Sequence, residues 1–282
     1  MSKQIALDYA EHTAWLLDSA LKDAERYRRI AADLVEPGDR RAADIGCGGG
    51  GMAVALAGRV AQVVAFDSDP AVLDAARAYA AQCGADLAFA LGDIDSGTDA
   101  LIAALGGPVD LMWAGHVVHH AVDQQAALGA LVSALAPGGR LALAEGGIGA
   151  RVLPWDVGVG RPGLQARLEA AGSERMIAEN RERGAVPMPY GWTAALERAG
   201  LTEIRTLNEF IDRPAPLTGG TLNEALENLE ARVGWFADFL DEDDKAAWKT
   251  LLDPESQDWL GRRHDLHHLE VRSIHLGRRP EA

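Results

Sequence analysis

Between Arg40 and Arg59 the chain reads RRAADIGCGGGGMAVALAGR, with five glycines in six positions behind a short apolar run that carries Asp44. Glycine loses more conformational freedom on folding than any other residue, so a cluster of it must answer a structural demand. An apolar strand pattern precedes the run and an Ala/Leu-rich helix pattern follows it, with no polar spacer on either side. That excludes an interdomain linker. What remains is a strand-to-helix turn where another group lies against bare backbone, beside a carboxylate.

The rest of the chain supports such a turn. Residues 1–36 read as helix, with Ile5, Tyr9, His12, Trp15 and Leu16 among polar residues, and EPGD at Glu36–Asp39 ends it. AQVVAFD (Ala61–Asp67) is a strand without polar alternation, as expected when both faces are buried. PAVLDAARAYAAQCG is a helix with proline in its first turn and glycine behind it. LAFALGD (Leu87–Asp93), VDLMWAG (Val109–Gly115) and GRLALAEGG (Gly139–Gly147) are further strands, with the helix DQQAALGALVSALAPGG between the last two. This alternation predicts a doubly wound α/β fold around a parallel sheet. Ligands of such sheets sit at the carboxyl ends of the strands.

Gly46-Cys-Gly48-Gly-Gly50-Gly51 also satisfies G-x-G-x-x-G, and Asp67 lies at the spacing of a ribose-binding carboxylate, so an NAD-dependent oxidoreductase has to be weighed. Asp44 argues against it, because a carboxylate two residues before the first glycine repels a pyrophosphate and suits an ammonium group. LGDI places Asp93 where it can accept from an exocyclic amine, and LAPGGRLAL announces a tight turn before the fifth strand.

Taken together, ADIGCGGG, VVAFDSDPAVLDAAR, FALGDID, VDLMWAGHVVHHAVD and LAPGGRLALAE resemble, in order, the motifs of the class I S-adenosylmethionine-dependent methyltransferases, in particular small-molecule enzymes with a ubiquinone-biosynthesis-like core. The resemblance covers about residues 40–147. It implies a mostly parallel seven-stranded Rossmann-like sheet with one antiparallel strand, a helical cap, S-adenosyl-L-methionine as cofactor and S-adenosylhomocysteine as product. It also implies residue roles. Asp44, Gly46, Gly48 and Gly50 would cradle the methionine portion, Asp67 would take the ribose hydroxyls with Ser68 beside the adenine, and Asp93 and Ile94 would bind the adenine edge and face. Gly115 and His116 would lie by the methionine and the reactive methyl. The chemistry agrees, since Asp67 can accept two hydroxyl hydrogens and Asp44 can face an ammonium.

The expected organisation is an N-terminal helical cap (1–39), a cofactor-binding core (40–148), a lid (149–190), and C-terminal strands (191–282) interrupted by helices at about 217–263. The lid offers Trp155, Arg161, Tyr190 and Trp192 as acceptor contacts, and Tyr9 and His12 on the first helix are further candidates. A long interruption of a compact domain usually encloses a binding site. Six of the eight histidines form two H-x-x-H-H sets, His116/His119/His120 and His264/His267/His268. No cysteine or paired carboxylate completes either set, so no metal is expected; His116 is the candidate general base.

Composition narrows the partners. A formal charge of −15 over 282 residues argues against a nucleic-acid backbone, which clustered Lys/Arg must neutralise. No apolar run is long enough for a membrane helix. Two cysteines form no disulfide framework, which suits a bacterial cytoplasm, and the scarcity of lysine fits a GC-rich genome. The expected activity is methylation of an O or N atom of a small organic acceptor, plausible in secondary metabolism. Other readings are a modified-peptide acceptor (side chain or terminal carboxylate) and a cofactor-binding module without transfer. The oligomeric state is not legible.

Overall fold

The computed structural model describes residues 9–281, with side chains described from Leu16 onward. Seven strands form one sheet: β1 (Arg41–Ile45), β2 (Gln62–Asp67), β3 (Ala88–Leu91), β4 (Val109–Gly115), β5 (Leu135–Arg151), β6 (Thr202–Arg213) and β7 (His268–Arg278). Their order is β3-β2-β1-β4-β5-β7-β6. β1 pairs in parallel with β2 and β4, β2 with β3, and β4 with β5. β7 runs antiparallel to β5: the Gly138 N–H donates to the Arg279 carbonyl at 3.1 Å and the Arg279 N–H to that of Gly139 at 2.8 Å. This is the doubly wound sheet that the strand and helix pattern predicts, with the one antiparallel strand that the resemblance implies.

The chain forms two compact units, residues 9–146, 185–207 and 273–281 in one, residues 147–184 and 208–272 in the other. The first holds α1 (Tyr9–Lys22), α2 (Ala24–Leu34), α3 (Gly51–Ala57), α4 (Pro70–Cys83), α5 (Thr98–Leu105) and α6 (Gln124–Ser133). The second holds α7 (Leu164–Arg183), and the first takes α8 (Trp192–Arg198). α9 (Gly219–Trp235) and α10 (Glu242–Leu252) belong to the second.

The sheet of the first unit has an apolar layer on each face. Ile45, Phe66, Met112 and Leu143 join Leu128, Leu131 and Leu196 in one. Leu111, Trp113 and Ala142 join Met52, Leu56 and Leu73 in the other. Successive residues of a strand point to opposite faces, so a strand covered twice has no place for polar alternation. The helices are bounded by local chemistry. In α4 the Asp69 carboxylate accepts the Ala71 N–H at 2.7 Å, Pro70 occupies the first turn, and Gly84 closes the helix at φ 64°. The second unit has its own core, with Leu168 of α7, Leu229 of α9, and Trp248 and Leu251 of α10 buried together. No described helix is long and apolar enough to cross a membrane.

Three details depart from expectation. The N-terminal helix divides at Asp23 into α1 and α2. α5 forms over TDALIAAL, a stretch without a clear periodicity of its own. LAPGG belongs to the start of β5 rather than to α6: Val109 pairs with Leu135 but Leu111 with Arg140, so a bulge absorbs the Pro137–Gly139 turn.

Candidate active site

β1 carries Asp44 to its carboxyl end and buries it, at 2 % exposure. The Asp44 carboxylate accepts the Ala53 N–H of α3 at 2.9 Å. Burial pushes its pKa up to about 7; the charge of Asp67 adds to the shift and the Ala53 N–H opposes it. The turn between β1 and α3 needs its glycines. Gly46, Gly48 and Gly50 have φ of 64°, 50° and 79°, the left-handed region that side chains disfavour. A Cβ on Gly46 would lie 2.6 Å from Val117 Cγ2, and one on Gly49 would collide with the Leu16 carbonyl of α1.

Asp67 ends β2. One oxygen accepts the Gly48 N–H at 3.2 Å and the other the Asp69 N–H at 3.2 Å, so this carboxylate ties the glycine turn to the N-terminus of α4. Burial raises its pKa, against the hydrogen bonds from Asp69, Gly48 and Ser68. Beyond β3, Asp93 caps a short 3₁₀ turn by accepting the Asp95 N–H at 2.9 Å. Ile94, expected to cover an adenine face, is 9 % exposed and belongs to an apolar layer of the sheet. Gly115 ends β4, where a Cβ would press on the Trp113 ring at 2.8 Å. His116 follows in a left-handed backbone, φ 54°, an uncommon conformation for a residue with a side chain.

A residue outside the sequence-derived set joins this site. Glu145 of β5 is 2 % exposed, and its Oε1 accepts the Val117 and Val118 N–H groups at 2.9 Å each and that of His119 at 3.4 Å. Its Oε2 lies 2.9 Å from His119 Nδ1. Burial would raise the Glu145 pKa, but the hydrogen bond and charge of His119, with the charge of His116, hold it below the usual carboxylate value. The ionised carboxylate calls for a donor at His119 Nδ1, which leaves Nε2 as the acceptor when the ring is neutral. On the other side of β5, His275 Nε2 lies 3.2 Å from the Glu145 carbonyl and Nδ1 2.9 Å from Thr206 Oγ1. The carbonyl can only accept, so Nε2 carries the proton there. Glu145 had a signal in the sequence: like Asp44 and Asp67, it is an acid at the carboxyl end of an apolar strand.

The expected acceptor contacts fall in both units. Tyr190 Oη donates to Gln125 Oε1 at 3.0 Å and its ring carries the Arg198 guanidinium at 4.2 Å. Trp192 opens α8, half-buried against an apolar layer of the sheet. Both belong to the first unit. Trp155 and Arg161 belong to the second. Trp155 is 72 % exposed, and Arg161 pairs with Asp241 and, at 3.6 Å, with Asp244. The side chains of Tyr9 and His12 lie outside the described residues. Among the described residues no three His, Cys, Asp or Glu side chains converge as a metal-ligand set.

Residues 42–139 match the family model for a methyltransferase domain. Over 118 residues the chain is 31 % identical to the ubiquinone biosynthesis O-methyltransferase of Xanthomonas axonopodis pv. citri, an alignment covering 42 % of this chain and 47 % of that protein. The protein of the same name from Xylella fastidiosa is 33 % identical over 101 residues, 36 % of this chain and 39 % of that one. The chain thus spans less than half the length of the curated relatives it matches. Among solved structures, the YcgJ protein of Bacillus subtilis aligns with a TM-score of 0.54 at 16 % identity, covering 91 % of this chain and 98 % of that one. A Bacillus halodurans C-125 protein provisionally assigned as a methyltransferase gives 0.53 at 17 % identity, covering 92 % and 99 %. These two likenesses concern the fold.

Proposed function

We propose that this chain, whose residues 42–139 are a methyltransferase domain in a class I fold, transfers a methyl group from S-adenosylmethionine to an oxygen or nitrogen of a small organic acceptor, in secondary metabolism. The observation that carries the reading is Asp44. A carboxylate at 2 % exposure, with a pKa pushed up to about 7, is a buried anion that a ligand cation would stabilise. It stands at the carboxyl end of a central parallel strand, where such sheets bind ligands.

The residues fit the cofactor. Asp44 offers its charge to the α-ammonium, Asp67 can accept from ribose hydroxyls, and Asp93 from an exocyclic amine. When bound, S-adenosylmethionine supplies an electrophilic methyl group on a sulfonium. The protein's part is then alignment and the handling of one proton. The turn after β4 does the second. His119 is better placed than His116 as proton acceptor, because Glu145 fixes its tautomer and stabilises the imidazolium that forms. His116 is the residue next to Gly115, and its left-handed backbone sets the direction of the turn.

The test has two parts. Titration calorimetry with S-adenosylhomocysteine measures binding. Label from methyl-labelled S-adenosylmethionine is then followed into organic-soluble, peptide and macromolecular pools of a bacterial extract. Label in the organic pool is the expected result, and label in the peptide pool would move the acceptor to a modified peptide. Tight binding without transfer to any pool would overturn the catalytic reading and leave a cofactor-binding module.

A further inference from the structure

β6 is the last strand of the sheet, hydrogen-bonded to β7 on one side. Eight of its twelve residues are exposed, including Leu207 at 38 % and Phe210 at 74 %. Soluble proteins blunt such edges with charged side chains, lysine above all, and with proline, bulges or cover, because unpaired backbone groups template a further strand. TEIRTLNEFIDR contains neither lysine nor proline. Its one left-handed residue, Glu203 at φ 53°, lies near the start, ahead of residues 204–210.

The natural occupant of an edge is another strand, and the sequence of β6 is complementary to itself. Two identical strands related by a two-fold axis pair antiparallel, and opposed side chains must share a face, so the axis has to pass through a residue rather than between two. With the axis at Leu207, Arg205 of each copy stands opposite Glu209 of the other and Ile204 opposite Phe210, each pair occurring twice, while Leu207 meets Leu207. With the axis at Thr206, Glu203 opposes Glu209 and Arg205 opposes Leu207. With the axis at Asn208, Leu207 opposes Glu209 and Thr206 opposes Phe210. Opposite charges and apolar pairs directly across a ladder stabilise it, and like charges do the reverse. Glu209 has an interaction within its own chain, but a carboxylate accepts at both oxygens and can take the second pair.

We propose that a second copy of this chain docks on β6, the two strands pairing antiparallel about Leu207 through reciprocal Arg205–Glu209 and Ile204–Phe210 contacts. Seven residues of strand bury less than the roughly 1,000 Å² of a firm interface, so the dimer is a weak, concentration-dependent one.

The register gives a sharp test. In antiparallel pairs opposed Cα atoms are about 4.5–5.5 Å apart, inside the roughly 4.4–6.8 Å span of a disulfide. Cys83 is exposed and is first replaced by serine. In that background Leu207→Cys is expected to give a covalent dimer on mild oxidation. Thr206→Cys and Asn208→Cys each face the other position rather than themselves, and should cross-link poorly. In sedimentation velocity between about 5 and 200 μM, Arg205→Glu should weaken dimerisation about tenfold, and Arg205→Glu with Glu209→Arg should restore it. A chain that stays monomeric at the top concentration overturns the proposal. So does cross-linking of equal yield at all three positions, or a dimer indifferent to Arg205→Glu.

Discussion

Asp44 in the sheet unit and Asp244 in the helical unit are both 2 % exposed, and the protein treats them in opposite ways. Asp244 sits in the first turn of α10, where Arg167 of α7 grips it through Nε at 2.6 Å and a second nitrogen at 2.9 Å. Asp44 accepts the Ala53 N–H and faces a second carboxylate, Asp67, in place of a guanidinium. A buried anion is tolerated when it is paired and hydrogen-bonded. The contrast separates a carboxylate that finishes a fold from one that is proposed to meet a ligand.

Substitutions that remove each charge test the contrast most strongly. Asp44→Asn should weaken S-adenosylhomocysteine binding by about a hundredfold or more, read by calorimetry, while the melting temperature of the free protein holds or rises, because an uncompensated buried charge is gone. Asp244→Asn should do the reverse. Breaking a buried ion pair costs about 3 kcal/mol, a fall of several degrees in melting temperature, with cofactor affinity within about twofold of wild type. If both substitutions lower stability alike, the distinction fails.

Acidity sharpens the same point. The folded pKa of Asp44, about 7, lies above its ordinary 3.8, so its contribution to folding is full below about pH 4 and is lost as pH rises towards 7. In the proposed site, cofactor binding would need the anion and would run the opposite way. S-adenosylhomocysteine affinity should be level above pH 7 and about tenfold weaker at pH 6, a dependence that Asp44→Asn abolishes. A flat profile in the wild type would detach Asp44 from the ligand.

Glu145→Gln comes next. Turnover should fall about ten- to a hundredfold, because an amide can also donate to His119 Nδ1 and no longer fixes its tautomer, while S-adenosylhomocysteine affinity changes by less than about threefold. Unchanged turnover would remove His119 as the proton acceptor. The smallest effect is expected at Arg161→Ala. Its pair with Asp241 is solvent-exposed on both sides, so the melting temperature should stay within about 1 °C. A raised KM for the acceptor would restore Arg161 as a recognition residue.

Much of the sheet unit was legible because its signals are local. Glycine runs, capping aspartates and unbroken apolar strands speak for themselves, as at Asp69-Pro70 and Gly84 of α4. Glu145 escaped because its function depends on the turn after β4, 26 residues away at His119, and spacing along the chain does not reveal such a meeting. α5 escaped because eight residues between glycines offer too few turns for a clear periodicity. Tyr190 and Trp192 have contacts that the sequence does not show either. Large aromatic side chains near a glycine-rich segment suggest recognition, yet Gln125 and Arg198 hold one and an apolar layer takes up the other.

Cys47 lies inside the glycine turn, 7 % exposed, between the carboxylates of Asp44 and Asp67. Burial and those two negative charges push its thiol far above the ordinary range. Thiolates, not thiols, are the sulfur nucleophiles. In a turn proposed to hold an alkylating sulfonium, a thiolate would be a rival methyl acceptor, and each self-alkylation would retire one molecule of enzyme. Burial first, and then the same carboxylates, keep the sulfur protonated, so in the proposed site the protein would be shielded from its own reagent.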